Sequence, residues 1–188
     1  MEAEIAVLWD NDLTLRRYLT DRGFSCGVLA PAFLAAPFFS WRACRLMIVP
    51  AGFGNTGYSQ ILQTLRAHRE FITHFVKAGG RLLVWGAYSS RDAYNWLPLP
   101  LQYVHEERMV GVKRLTGTET GQLVERDECY CDGYFENPVE GWTIILATAD
   151  SEAERAILVA AAYGAGELIA TTIHEYPTDR FIAYCLGR

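Results

Sequence analysis

Two short motifs combine residue types and spacing that could do chemistry. Gly52-Phe53-Gly54-Asn55-Thr56-Gly57 reads Gly-x-Gly-x-x-Gly between a strand-like run and a helical one. Such a loop can offer backbone N–H groups to a phosphate at a helix N-terminus, which makes a phosphate or nucleotide site through Gly52–Gly57 one alternative. The loop follows the third expected strand rather than the first, however, and the next strand brings no acidic residue for a ribose hydroxyl. An oxyanion-type turn therefore competes with the nucleotide reading. Cys129-Tyr130-Cys131 would point two thiols to one face of a strand, with His174 as a third metal ligand. Structural zinc takes four ligands, and Cys26, Cys44 and Cys185 lie in apolar runs, so small buried hydrophobes are the simpler reading. No metal and no cofactor are expected. His68 and His74 fall on a helical run among polar neighbours, and His105, beside Glu106-Glu107, reads as a solvated turn.

The elements that must position these groups change character along the chain. Ile5–Trp9 is a continuous apolar run of strand length, and Asp10-Asn11-Asp12 after it offers helix-capping chemistry. A helix over Leu13–Leu19 closes at Gly23, and Phe24–Leu29 is a second strand ended by Ala30-Pro31. Ala32–Ala43 is ambiguous, because aromatic pairs and Pro37 break any period. Arg45–Val49 is a third strand, Tyr58–Lys77 a helix by its apolar spacing, and Arg81–Gly86 a fourth strand. Strand–helix alternation with strands apolar throughout predicts a parallel, doubly wound sheet. The second half reads as short strands over Leu101–Val104, Met109–Leu115, Glu128–Phe135 and Trp142–Ala147. A hairpin follows, with Arg155–Tyr163 and Glu167–His174 flanking Gly164-Ala165-Gly166. Phe181–Leu186 fits a short helix or a final strand. In an open α/β sheet, ligands sit beyond the carboxyl ends of the strands. That rule gathers Asp10-Asn11-Asp12, Ala30-Pro31, Pro50–Asn55 and Gly86–Arg91 on one edge.

Composition narrows the functions. With 17 Lys plus Arg against 22 Asp plus Glu, the net charge is −5. No basic stripe is present, so phosphate-neutralising contact with nucleic acid is not expected. The longest apolar runs, such as Val28–Ala36, are about half a bilayer span, and no secretory signal pattern opens the chain, so no membrane partner is expected. Five cysteines, an odd number, fit reduced thiols in a cytoplasmic protein better than a disulfide framework. The length suits one domain over residues 1–188.

Several segments resemble the class I glutamine amidotransferase-like superfamily. Ile48-Val49-Pro50-Ala51-Gly52 resembles its strand-to-turn that supplies an oxyanion donor, and Gly79–Tyr88 resembles its strand into the nucleophile elbow. Ile145-Leu146-Ala147, Ala156–Val159, Tyr163–Ile169 and His174 then follow in the family's order. The succession is most similar to the amino-terminal domain of certain biotin-protein ligases. The resemblance implies a flavodoxin-like α/β fold of the class I amidotransferase-like kind with a late antiparallel extension.

The departures from the family carry the functional expectation. Where the resemblance places Gly-x-Cys-x-Gly, this chain has Gly86-Ala87-Tyr88-Ser89-Ser90, with Tyr88 in place of the thiol and Ser90 in place of a glycine. The family's His-Pro-Glu becomes His174-Glu175-Tyr176. A phenol titrating near pH 10 is a poor acyl acceptor. The expectation is a degenerate pocket without glutaminase activity, serving a small polar ligand or a protein partner, with homo-oligomerisation left open. Its ligand-facing residues would be Asp10, Gly52, Phe53, Gly54, Tyr88, Ser89, Ser90 and His174. The competing enzyme reading uses Ser89 or Tyr88 with His174, oriented by Glu175, for hydrolysis or acyl transfer.

Overall fold

The computed structural model describes residues 3–10, 14–30, 33–34, 43–89, 91–136, 138, 140–149 and 154–188. Asn11, Asp12, Leu13, Pro31, Ser90 and nearly all of the ambiguous Ala32–Ala43 stretch lie outside the described residues.

Nine strands form one sheet in the order β2-β1-β3-β4-β9-β8-β6-β5-β7. Its first part is parallel: β1 (Ile5–Leu8) lies between β2 (Cys26–Leu29) and β3 (Leu46–Val49), and β3 pairs with β4 (Arg81–Val84). β4 also pairs in parallel with β9 (Gly166–Thr171). β1, β3 and β4 have strands on both sides and are apolar along nearly their whole length, as a doubly covered strand requires.

Beyond β9 every pairing is antiparallel. β8 (Ala156–Tyr163) returns along β9 through a tight Gly164-Ala165 turn, pairing Tyr163 with Gly166. β5 (Gln102–Arg114), β6 (Glu128–Glu136) and β7 (Thr143–Thr148) complete the sheet, and β7 pairs with both β5 and β8. Since β6 bridges β5 and β8, these four strands close into a small barrel.

The expected flavodoxin-like, doubly wound parallel sheet is therefore overturned. Five strand pairings are antiparallel against four parallel ones. The second half is a closed antiparallel body rather than an extension, and only four α-helices are described. The physical reason is the succession after β4: β5 to β8 follow one another without crossover helices, and neighbours joined that way pair antiparallel.

Two smaller expectations also change. The helix expected over Tyr58–Lys77 is two, α2 (Ile61–Ala67) and α3 (Arg69–Lys77), broken at His68 with φ −108° and ψ 20°. The strands expected over Leu101–Val104 and Met109–Leu115 are one, β5, whose register shifts between His105 and Arg108. The other two helices are α1 (Thr14–Asp21) and α4 (Asp179–Leu186), so Phe181–Leu186 is helical. The Thr178 hydroxyl caps α4 by accepting from the Phe181 N–H, and Gly187 closes it at φ 75°.

An aromatic cluster joins the parallel part to the barrel. Phe53 meets Tyr94 and Trp96 edge-on, and Tyr94 packs on Tyr103 and Phe135. All five rings are buried, and the Tyr94 hydroxyl donates to the Trp85 carbonyl at 2.7 Å. Phe53→Ala should cost about 3–5 kcal/mol through the cavity it leaves. A urea titration should show that loss as a lowered midpoint at unchanged slope.

Candidate functional site

The carboxyl ends of β1, β3 and β4 open onto two adjoining cavities. One of ≈ 330 Å³ is lined by Trp9, Ala51, Gly52, Tyr58, Tyr88 and His174. The other, ≈ 260 Å³, is lined by Thr14, Leu15, Pro50, Ala51, Trp85, His174 and Tyr176. A further cavity of ≈ 320 Å³ at the opposite strand ends, with Cys44, Arg45 and His74 in its wall, gathers no comparable set of groups.

Tyr88 stands at the bend after β4. Among the described residues it is the one non-glycine with positive φ, 52°. A bulky residue held there costs on the order of 1 kcal/mol or more and persists because its surroundings fix it. Its ring is tilted against His105 at 5.2 Å between centroids and meets Tyr58 and His174 edge-on, each at 6.1 Å. Burial first, then the nearby Asp132 and Glu107 carboxyls, push the phenol's pKa above its ordinary value. Tyr88 thus keeps its proton at neutral pH, as a hydrogen-bond donor and a wall rather than a nucleophile. Ser89 is half-buried beside it, and Ser90 lies outside the described residues.

His174 shares that cavity, exposed, with its backbone N–H donating to the Tyr130 carbonyl at 2.8 Å. Glu175 does not orient it. The Glu175 Oε1 accepts instead from the Tyr130 N–H at 2.9 Å, and Oε2 is buried without a partner. Among the described residues no hydrogen bond forms between the His174 ring and either Tyr88 or Ser89.

The glycine loop is built for packing. Gly52 N–H donates to the Gly86 carbonyl at 2.8 Å and Gly54 N–H to the Ala87 carbonyl at 2.9 Å. A Cβ on Gly54 would stand 2.9 Å from that carbonyl and 2.8 Å from the Ser89 Cβ, so glycine is required by close approach. The N–H groups of Asn55, Gly57, Tyr58 and Ser59 are spent on Gly52 and Asn55 oxygens. Asp10, the expected ligand residue, caps the entry to α2 by accepting from the Ser59 hydroxyl at 2.6 Å and the Gln60 N–H at 3.3 Å. A carboxylate therefore holds the place an incoming phosphate would need. Phe53 is core rather than ligand-facing.

Cys129 and Cys131 are buried with sulfurs 3.6 Å apart. No group of three or more His, Cys, Asp or Glu able to hold a metal occurs among the described residues.

Three important side chains were missed by sequence reasoning. His105 and Glu107 sit on β5 rather than in a solvated turn. Glu107 Oε1 pairs with His105 Nε2 at 3.2 Å, and Oε2 accepts from the Tyr130 hydroxyl at 2.6 Å. Those hydrogen bonds, Tyr130's first, hold the Glu107 carboxyl below its usual pKa. The alternation of Tyr103, His105 and Glu107 was the available signal, masked by the charged Glu106-Glu107 pair.

The third is Asp132, fully buried beneath the bend. Tyr103 O–H donates to its carbonyl at 2.8 Å and its Oδ1 at 3.2 Å, and Oδ2 has no partner. A Cβ on Gly86 would lie 1.9 Å from both carboxyl oxygens, so the acid rests directly on that glycine. Burial dominates its titration, raising the pKa to about 8.

No protein-family model matches the chain, and no curated protein matches it in sequence. Solved structures do resemble it. A protein described as a candidate GMP synthase component from Thermoplasma acidophilum superposes with TM-score 0.67 at 12% identity, covering 97% of this chain and 92% of that one. A cytoplasmic protein from Salmonella typhimurium follows at TM-score 0.62 and 13% identity, over 97% and 95% of the two chains. A β-galactosidase from Rahnella sp. R3 matches at TM-score 0.56 and 15% identity over 98% of this chain but 30% of its own. At these identities the likeness is one of fold alone. No helix among the described residues is long and apolar enough to cross a membrane.

Asp132 makes stability depend on pH. Its folded pKa of about 8 lies above the ordinary value of 3.8, so the folded state holds the extra proton between those limits. Stability is then highest below about pH 4, falls as pH rises through about 8, and levels off above. Asp132→Asn keeps an acceptor for Tyr103 and cannot ionise. Chemical denaturation from pH 5 to pH 9 should lose most of that slope in this variant, which should gain on the order of a few kcal/mol relative to the parent at pH 9.

Proposed function

We propose that the chain is a glutamine amidotransferase-like domain that binds a small polar ligand and does not hydrolyse glutamine. The supporting observation is Tyr88, which occupies the bend where the resemblance places a thiol. Its ring packs among Tyr58, His105 and His174, and its environment disfavours the phenolate. Glutamine hydrolysis needs an activated nucleophile and an oriented base. Here the first is an aromatic wall, and the carboxylate next to the base is bound to the Tyr130 backbone.

The two adjoining cavities favour a small ligand over a protein-only role, since concave sites with a few polar groups suit small molecules. The nucleotide alternative has little support, because the glycine loop's donors are mostly spent and Asp10 sits at the helix entry. A single domain in a reducing, cytoplasmic setting belongs to the same proposal, supported by Cys44, Cys129, Cys131 and Cys185, which are buried as thiols.

The test is covalent. Intact-mass analysis after incubation with a fluorophosphonate and with a glutamine-derived chloroketone should show no adduct on Tyr88 or Ser89. An adduct on either residue that disappears in His174→Ala would restore the enzyme reading.

A further inference from the structure

Aromatic side chains line both cavities, and the Glu107 carboxyl stands near the lining residues Tyr88 and His174. Trp9, Tyr58, Tyr88 and the His174 ring surround the larger cavity, and Tyr176 extends the wall into the smaller one. Tyr58 and Tyr176 are 64% and 43% exposed, so both rings are accessible from solvent. Glu107 lies close enough to Tyr88 and His174 to interact electrostatically with both, and two hydrogen bonds favour its charged form. Asp10, next to Trp9 in sequence, is engaged by Ser59 and Gln60, and Asp132, which keeps its proton up to about pH 8, lies beneath Gly86. No lysine or arginine occurs among the described lining residues of either cavity.

We infer that the cleft takes an organic cation, a small ammonium group seated against the Tyr58, Tyr88 and Trp9 rings on the Glu107 side. Aromatic faces carry negative charge density and attract ammonium groups, most strongly where water is displaced. The charged Glu107 repels phosphates and carboxylates, and no lysine or arginine among the described lining residues compensates an anion there. An amino-acid carboxylate such as glutamine's is disfavoured for this reason, independently of the missing thiol.

This inference rests on the ligand-binding reading above, and the experiment separates the two. The full chain is titrated at pH 8 with choline, with 3,3-dimethyl-1-butanol (the same shape without the charge), with galactose and with L-glutamate, followed by calorimetry and by NMR of the Trp and Tyr rings. Choline should bind about ten-fold more tightly than its neutral isostere, and Tyr58→Ala and Glu107→Gln should each weaken it several-fold. Both side chains are at the surface, and an unchanged melting temperature would confirm that each variant folds.

Equal affinity for choline and the isostere, or choline binding indifferent to both substitutions, overturns the cation assignment. If galactose or glutamate perturbs the cleft rings and choline does not, the cation assignment falls while the ligand cleft stands. If none of the four probes perturbs them, the cation assignment falls and the ligand-binding reading loses its support as well.

Discussion

Two backbone hydrogen bonds govern the geometry of the site. Gly52 and Gly54 donate to the carbonyls of Gly86 and Ala87, fastening the turn after β3 to the bend after β4. Backbone groups buried this way must be paired, so neither loop can move without leaving several unsatisfied. From below, the Asp132 carboxyl rests on Gly86 and the buried Phe53 anchors the turn in the aromatic cluster. Tyr88 is held in a left-handed conformation directly after this pinned segment.

The same fastening explains why chemistry and packing exchange places here. Residues that look like a phosphate loop in sequence are used for loop-to-loop closure, and the acid at the end of β1 caps a helix. Conversely, the antiparallel half supplies His105, Glu107, Tyr130 and Asp132 to a site that begins on the parallel half. The cleft is a joint product of the two parts of the sheet.

What was legible in the sequence followed local pattern. The apolar runs that became β1, β3 and β4 and the Gly164-Ala165 hairpin can be read from spacing, and so can the edge on which the cavities open. The closed barrel could not be read. Its closure depends on β7 pairing with both β5 and β8, long-range contacts that leave no periodic mark on any one strand. β5 was split because Glu106-Glu107 interrupts its alternation at the register shift, which removed His105 and Glu107 from consideration. Asp132 was invisible for a different reason: Asp132-Gly133 has the composition of a turn, whereas here it lies inside β6 with its carboxyl buried.

The closure of β7 onto β8 has a consequence for solution behaviour. A sheet normally exposes two outer strands, each a template on which another chain can add. Here one of those borders is consumed internally, and among the described residues β2, four residues long, is the strand with a single neighbour. So short a border offers few amide and carbonyl groups for recruiting a foreign strand, which protects against fibrillar growth at no cost in surface charge.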